Sequence, residues 1–165
     1  MKLKNIFLCW DFITATAITL ILWLLLPSSV AGTFAKDIYG IAIPVLSIVF
    51  SVYFAALAII ISSGDNDFIS FLEEDGSYTE IINSFKYSLI ITLISLVFSI
   101  LLFGFTSYKL ILSILSQNKN LFAVFVFLFS YSLFTVFNSS MDAITYVKYR
   151  IKFTEIKRQR QRDSY

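Results

Sequence analysis

Charged residues leave four long gaps in this chain: Phe12 to Ala35, Ile38 to Gly64, Tyr87 to Tyr108 and Asn120 to Met141, each at least 22 residues long. A helix of about 20 apolar residues crosses the roughly 30 Å hydrocarbon core of a bilayer, so every run is long enough to span. The strict alternation of a membrane β-barrel strand is absent. The pattern predicts an all-α fold, an integral membrane four-helix bundle. One transmembrane domain occupies 1–165, with helices at about 5–26, 37–75, 77–115 and 120–158. Pro27, Ser28, Ser29 and Gly32 stop the first helix.

The break between the second and third helices is of another kind. Asp65, Asn66 and Asp67 are suited to cap a short helix carrying Phe68, Ile69, Phe71 and Leu72, and Gly76 to end it in a left-handed conformation. Ser77-Tyr78-Thr79-Glu80 has the spacing of a capping box. A helical hairpin projecting beyond the apolar layer is the expected result. No Gly or Pro follows Gly104, so the third helix is expected to reach a tight turn at 117–120 and the fourth to continue unbroken into a basic tail.

Composition supports the lipid-solvated reading: 58% of residues are hydrophobic and 15% charged, against roughly 25% charged in soluble domains. With no histidine and one cysteine, Cys9, the chain lacks the makings of the usual zinc, haem or Cys/His sites and of an internal disulfide. No metal or cofactor is expected, and nothing points to an enzyme. Lys and Arg set orientation. With a cytoplasmic N-terminus the inner segments hold ten of them (Lys2, Lys4, Lys86 and seven from Lys148 to Arg162), and the outer loops three, Lys36, Lys109 and Lys119. Both termini are therefore expected in the cytoplasm, with the chain multi-pass in the inner, plasma, membrane. Ser29-Val30-Ala31 would pass as a signal cleavage site, but Asp11 interrupts the preceding apolar stretch too early for a good signal.

Lipid gives no hydrophobic reward for helix association, so small residues and interhelical hydrogen bonds matter. The second helix offers Gly40, Ser47, Ser51, Ala55, Ala58 and Ser62, and the third Ser88, Thr92, Ser95, Ser99 and Thr106. The fourth offers Ser132, Thr135, Asn138, Ser139 and Asp142. The plainer reading is helix packing. The sharper one is that Ser132, Thr135, Asn138, Ser139 and Asp142 line a pore in a ring of subunits, growing more polar toward a carboxylate as a cation mouth would. For Asp142 the plainer reading, an interfacial ion pair with Lys148 or Lys4, is favoured over a role in gating. No charge sits at the midplane, which argues against a pump or transporter.

On the inner side the hairpin is acidic, with Glu73, Glu74 and Asp75 at its turn, and the tail is basic through Lys148, Arg150, Lys152, Lys157, Arg158, Arg160 and Arg162. Three destinations are open for the tail: anionic lipid at the cytoplasmic face, the acidic hairpin of its own or a neighbouring subunit, or a soluble nucleotide or nucleic acid. No glycine-rich phosphate loop accompanies it, which disfavours the last.

In its four spans, its hairpin Asp65-Asn66-Asp67-Phe68-Ile69-Ser70-Phe71-Leu72-Glu73-Glu74 and its basic tail, the chain resembles the small four-helix membrane proteins of bacterial anti-phage defence operons. The likeness is one of architecture, and no functional residue is carried over by it. It implies a membrane sensor or a pore-forming effector beside a soluble partner. The polar stripes, at least one of which a single bundle leaves to satisfy, point to a homo-oligomer, and the first reading is an oligomeric effector or channel-like protein answering a cytoplasmic signal. The other reading is a non-conducting anchor, sensor or scaffold for a soluble partner. The chain is similar to a phage holin in its short helices and charged C-terminus, though long for one.

Overall fold

In a computed structural model the described residues are 10–62, 65–74 and 76–163. The fold is all-α apart from one short ladder. Its elements are α1 (Trp10–Leu25), β1 (Ser29–Ala31), α2 (Gly32–Ser62), α3 (Asn66–Glu73), α4 (Ser77–Ile111), β2 (Ser116–Asn118) and α5 (Lys119–Asp163). Three helices, α2, α4 and α5, are long and apolar enough to cross a membrane. The described part of α1 is apolar but 16 residues long, and residues 5–9, expected to extend it, lie outside the described residues.

The order of packing is α1 on α5, α5 on α4, and α4 on α2. One apolar cluster near the β ladder joins Val30, Ala35, Tyr39, Ala42, Leu102, Phe122, Phe125 and Val126. A second, at the opposite end, joins Tyr53, Ile60, Phe68, Leu72, Ile81, Phe85, Leu89 and Tyr146. The buried face of α4 connects them through Ser88, Thr92, Ser95 and Ser99. Thr92 donates its hydroxyl to the Ser88 carbonyl at 2.8 Å and Ser99 to that of Ser95 at 2.7 Å. Hydroxyls spent on their own helix leave only small side chains between backbones, which permits close approach.

The loops depart from expectation. The third helix ends at Ile111 rather than near 115, with Ser113 in a left-handed conformation (φ 62°) and the Ile114 amide donating to the Lys109 carbonyl at 3.0 Å. Residues beyond it form β2, whose Ser116, Gln117 and Asn118 pair antiparallel with Ala31, Val30 and Ser29. Two stretches that read as separate turns thus pair part of one another's backbone, which matters beside lipid, where unpaired amides and carbonyls are costly. The Gly32 amide extends the ladder by donating to the Leu115 carbonyl at 2.8 Å.

Two contacts at the ladder end tie α1 to α5. Trp23 donates its indole N–H to Asn120 at 3.1 Å. Lys119 donates to the Leu26 carbonyl at 2.8 Å while lying 4.4 Å from the Trp23 ring centroid. An ammonium at a helix C-terminus satisfies an orphan carbonyl and complements the helix dipole.

At the other end, the predicted helix over 37–75 is two helices, α2 and α3. Gly76 has the expected left-handed conformation (φ 77°), but the capping box does not form as read. Glu73 reaches across the turn instead, accepting from the Thr79 amide at 3.1 Å and its hydroxyl at 2.6 Å. Gly76 stands where a capping side chain would be needed, so the acceptor comes from the preceding helix.

A Cβ on Gly32 would lie 3.1 Å from the Leu110 side chain and 3.2 Å from the Leu115 carbonyl oxygen. Gly32→Val should therefore loosen the ladder and lower stability by about 1–3 kcal/mol, as overpacking does. Thermal unfolding in detergent would show this, with Gly104→Ala, which has open space around it, nearly neutral.

A polar cleft between α1, α4 and α5

The first turn of α1, the first three turns of α4 and the middle of α5 enclose a cleft of about 600 Å³. Three carboxylates line it, from Asp11, Glu80 and Asp142, together with Ser84, Ser88, Tyr87, Tyr131, Thr135, Asn138, Ser139 and Tyr149 among others. It opens where the chain turns from apolar to charged, beside the hairpin.

Hydrogen bonds across the helices build its walls. Asn138 donates its amide to the buried carboxylate of Asp11, in the first described turn of α1. Ser84 donates to Asp142 at 2.5 Å and lies 3.2 Å from the Ser139 hydroxyl. Ser88 donates to the Thr135 carbonyl at 3.0 Å, and the Tyr87 and Tyr131 hydroxyls are 2.6 Å apart. On the far side of α5, the Tyr53 hydroxyl meets Ser140 and the Val136 carbonyl.

The fourth-helix stripe divides according to depth. Ser132 is buried outside the cleft and returns its hydroxyl to the Phe129 carbonyl at 2.8 Å. Thr135 and Ser139 form the buried floor, and Asn138 and Asp142 the more open wall. Thus four of the five sequence-singled residues come together, beside α4 and α1 of the same chain. The ion pair considered for Asp142 has no counterpart among the described residues: its partner is Ser84, and Lys4 lies outside them.

The second-helix line is placed differently. Ser51, Ala55, Ala58 and Ser62 are exposed and Gly40 and Ser47 half-buried. The face that α2 buries is Ala35, Tyr39, Ala42, Leu46, Tyr53 and Ile60, about 150° around the helix from that line. These larger side chains bury more area, and Tyr53 adds the hydroxyl contacts to α5, which decides the rotation.

The tail meets the hairpin of its own chain. Lys157 bridges Asp67 at 3.1 Å and Asp65 at 3.5 Å, while the Phe153 ring lies 5.4 Å from both Phe68 and Phe71. Hydrogen bonding to Asp67 and the two negative charges hold the Lys157 ammonium above the usual lysine pKa. This contribution is complete below the ordinary lysine value and is lost as pH rises through the raised one. Asp65 thus serves as a partner for Lys157, and no side-chain cap forms on α3. Lys148, Arg150, Lys152, Arg158, Arg160 and Arg162 are exposed, as are Glu73 and Glu74, and Asp75 lies outside the described residues.

Sequence reasoning missed Ser84, Tyr87 and Tyr131, and the pairing of Asp11 with Asn138. Ser84 was within reach, since it precedes Ser88 by one turn on the same line. The Asp11 to Asn138 contact joins residues 127 apart, and only equal depth in two helices hinted at it. Comparison with protein-family models, characterised proteins and solved structures finds no match for this chain.

The Asp11 to Asn138 bond should show as coupling. Asp11→Ala and Asn138→Ala, alone and combined, should give an interaction energy of about 1–2 kcal/mol in a double-mutant cycle of detergent stability, as a charge-assisted bond would.

Proposed function

We propose that the protein is a four-span membrane protein with both termini cytoplasmic, acting as an oligomeric, channel-like effector whose inner mouth is the carboxylate-lined cleft. The observation that carries this is the convergence of Asp11, Glu80 and Asp142 on one cleft whose floor is made of hydroxyls. Carboxylates at a constriction concentrate cations, and neutral oxygens one turn deeper replace part of an ion's water.

α1 counts as a span because it lies along the apolar part of α5, joined at both ends: Trp23 to Asn120, and Asp11 to Asn138. Those ends are 18 residues apart on α5, about 27 Å by helical rise, and 12 apart on α1, about 18 Å, so α1 runs beside most of the depth that α5 would cross. The ten-to-three bias of Lys and Arg puts the hairpin and tail inside. Lys148, Arg150 and Lys152 are six to ten residues past Asp142, about 9–15 Å along the helix, near enough for anionic headgroups to attract them. Arg158, Arg160 and Arg162 stand about 24–30 Å beyond, several Debye lengths into the cytoplasm.

A second reading, a non-conducting sensor or scaffold for a soluble partner, is favoured by the docked hairpin and tail, which present acidic and basic surfaces to the cytoplasm. A role in anti-phage defence, implied by the architectural resemblance, fits either reading.

Orientation is checked with cysteines at Ser28, Asn118 and Ser77: the first two should react with an impermeant thiol reagent from outside intact cells and the third should not. In planar bilayers under a KCl gradient, Asp142→Asn should reduce cation selectivity and Asp142→Lys should move the reversal potential toward anions, with the oligomer intact on size exclusion. Unchanged selectivity in well-assembled Asp142→Lys protein would remove the cleft as the conducting mouth and leave the scaffold reading.

A further inference from the structure

Beyond Asp142, α5 has three faces. One borders the cleft through Thr145 and Tyr149. A second packs on α3 through Tyr146, Phe153 and Lys157. The third carries Ile144, Val147 and Ile151, which are 50%, 54% and 57% exposed. Their spacing of three and four residues puts them on one line of the helix. Within the apolar segment the same line continues upward through Met141 and Phe137, both exposed.

Exposure of Phe137 and Met141 is ordinary for residues facing lipid. Ile151 is another matter. Nine residues past Asp142, it is about 13 Å further along the helix, beyond a headgroup layer of roughly 5–8 Å. An aliphatic row entering water on an otherwise charged stalk marks a covered surface.

We propose that this face is the contact between two copies of the chain, whose α5 helices run side by side and parallel from the membrane into the cytoplasm. The inference rests on the membrane-spanning reading of α5. Two observations choose a second copy as the occupant. The stripe passes without a break from lipid into water, and a neighbour inserted in the same direction has a matching stripe at every depth, whereas a soluble partner reaches only its lower part. Charge is complementary as well. With Ile144 and Ile151 at a positions and Val147 at d, Arg150 is a g residue and Glu155 the following e residue, the pair that meets across a parallel coiled coil. At the preceding pair Lys148 faces Ala143, so no like charges meet there. Thr154 at the next d position and Arg158 at the next a position end the apolar row and the close contact before Lys157 and Arg162, the next g and e residues, would meet.

Disulfide crosslinking in native membranes tests this in the full chain with Cys9→Ser as background. Ile151→Cys should give a covalent dimer on oxidation, and Lys152→Cys, on an exposed neighbouring position, several-fold less. In the Ile151→Cys chain, Arg150→Glu and Glu155→Arg should each lower the yield several-fold, and the two together should restore it. Equal yields at 151 and 152, or no recovery in the double reversal, would overturn the interface. Carbonate extraction of the same membranes separates this from failure of the membrane reading: protein that stays in the pellet yet does not crosslink at 151 refutes only the interface, whereas protein released into the supernatant refutes the spanning reading on which it rests.

Discussion

Close approach of α4 to α5 is the constraint on which the other features depend. Ser88 touches the Thr135 carbonyl, and Ser84, Ser88 and Ser139 form a continuous patch of hydroxyls. An aliphatic side chain at any of these positions would hold the backbones apart. The distance to α5 in turn sets where α1 can lie, because α1 touches α5 from the cleft mouth to the ladder. A polar seam in an apolar molecule is tolerated because Ser84, Ser88, Thr135 and Ser139 each have an acceptor beside them, and interhelical bonds of this kind average about 0.6 kcal/mol. Their larger effect is geometric: they fix register between helices whose apolar surfaces would pack in many ways.

The cleft follows from the same seam. Above it, the helices are sealed by rings, with Tyr39 4.6 Å from Phe125 and Phe12 5.5 Å from Phe127. Toward the hairpin, polar side chains replace aromatic ones and three helices no longer fill the space between them. The change from sealed to open falls near the charge boundaries at Lys86 and Asp142, where water begins to be available to carboxylates. A carboxylate deeper in the molecule would carry a desolvation cost that one hydrogen bond does not offset.

The hairpin shows how a local signal is rerouted by tertiary contacts. Gly76 turns the chain as its type demands, yet the cap of α4 comes from Glu73 and the carboxylates of Asp65 and Asp67 turn to Lys157. Side-chain oxygens go to the strongest donor in reach, and an ammonium outcompetes a backbone amide for an ionised acceptor.

Charge spacing and hydropathy were enough to determine the all-α class, three of the four expected helices as long and apolar enough to cross a membrane, the hairpin near Gly76 and the unbroken run of α5, because each depends on residues close in sequence. Local reading also located the hydroxyl line of α4, since helical period is a local property. Pairing was decided elsewhere. Ser29–Ala31 and Ser116–Asn118 have no strand signal of their own and become a ladder because the helix ends bring them together. The rotation of α2, which leaves Ser51, Ala55 and Ala58 outward, depends on Tyr53 reaching α5, and the cleft depends on α1 and α5 placing Asp11 beside Asn138. A single helix has several faces of nearly equal hydrophobicity when lipid is the solvent. Only its neighbours select among them, through hydrogen bonds and shape.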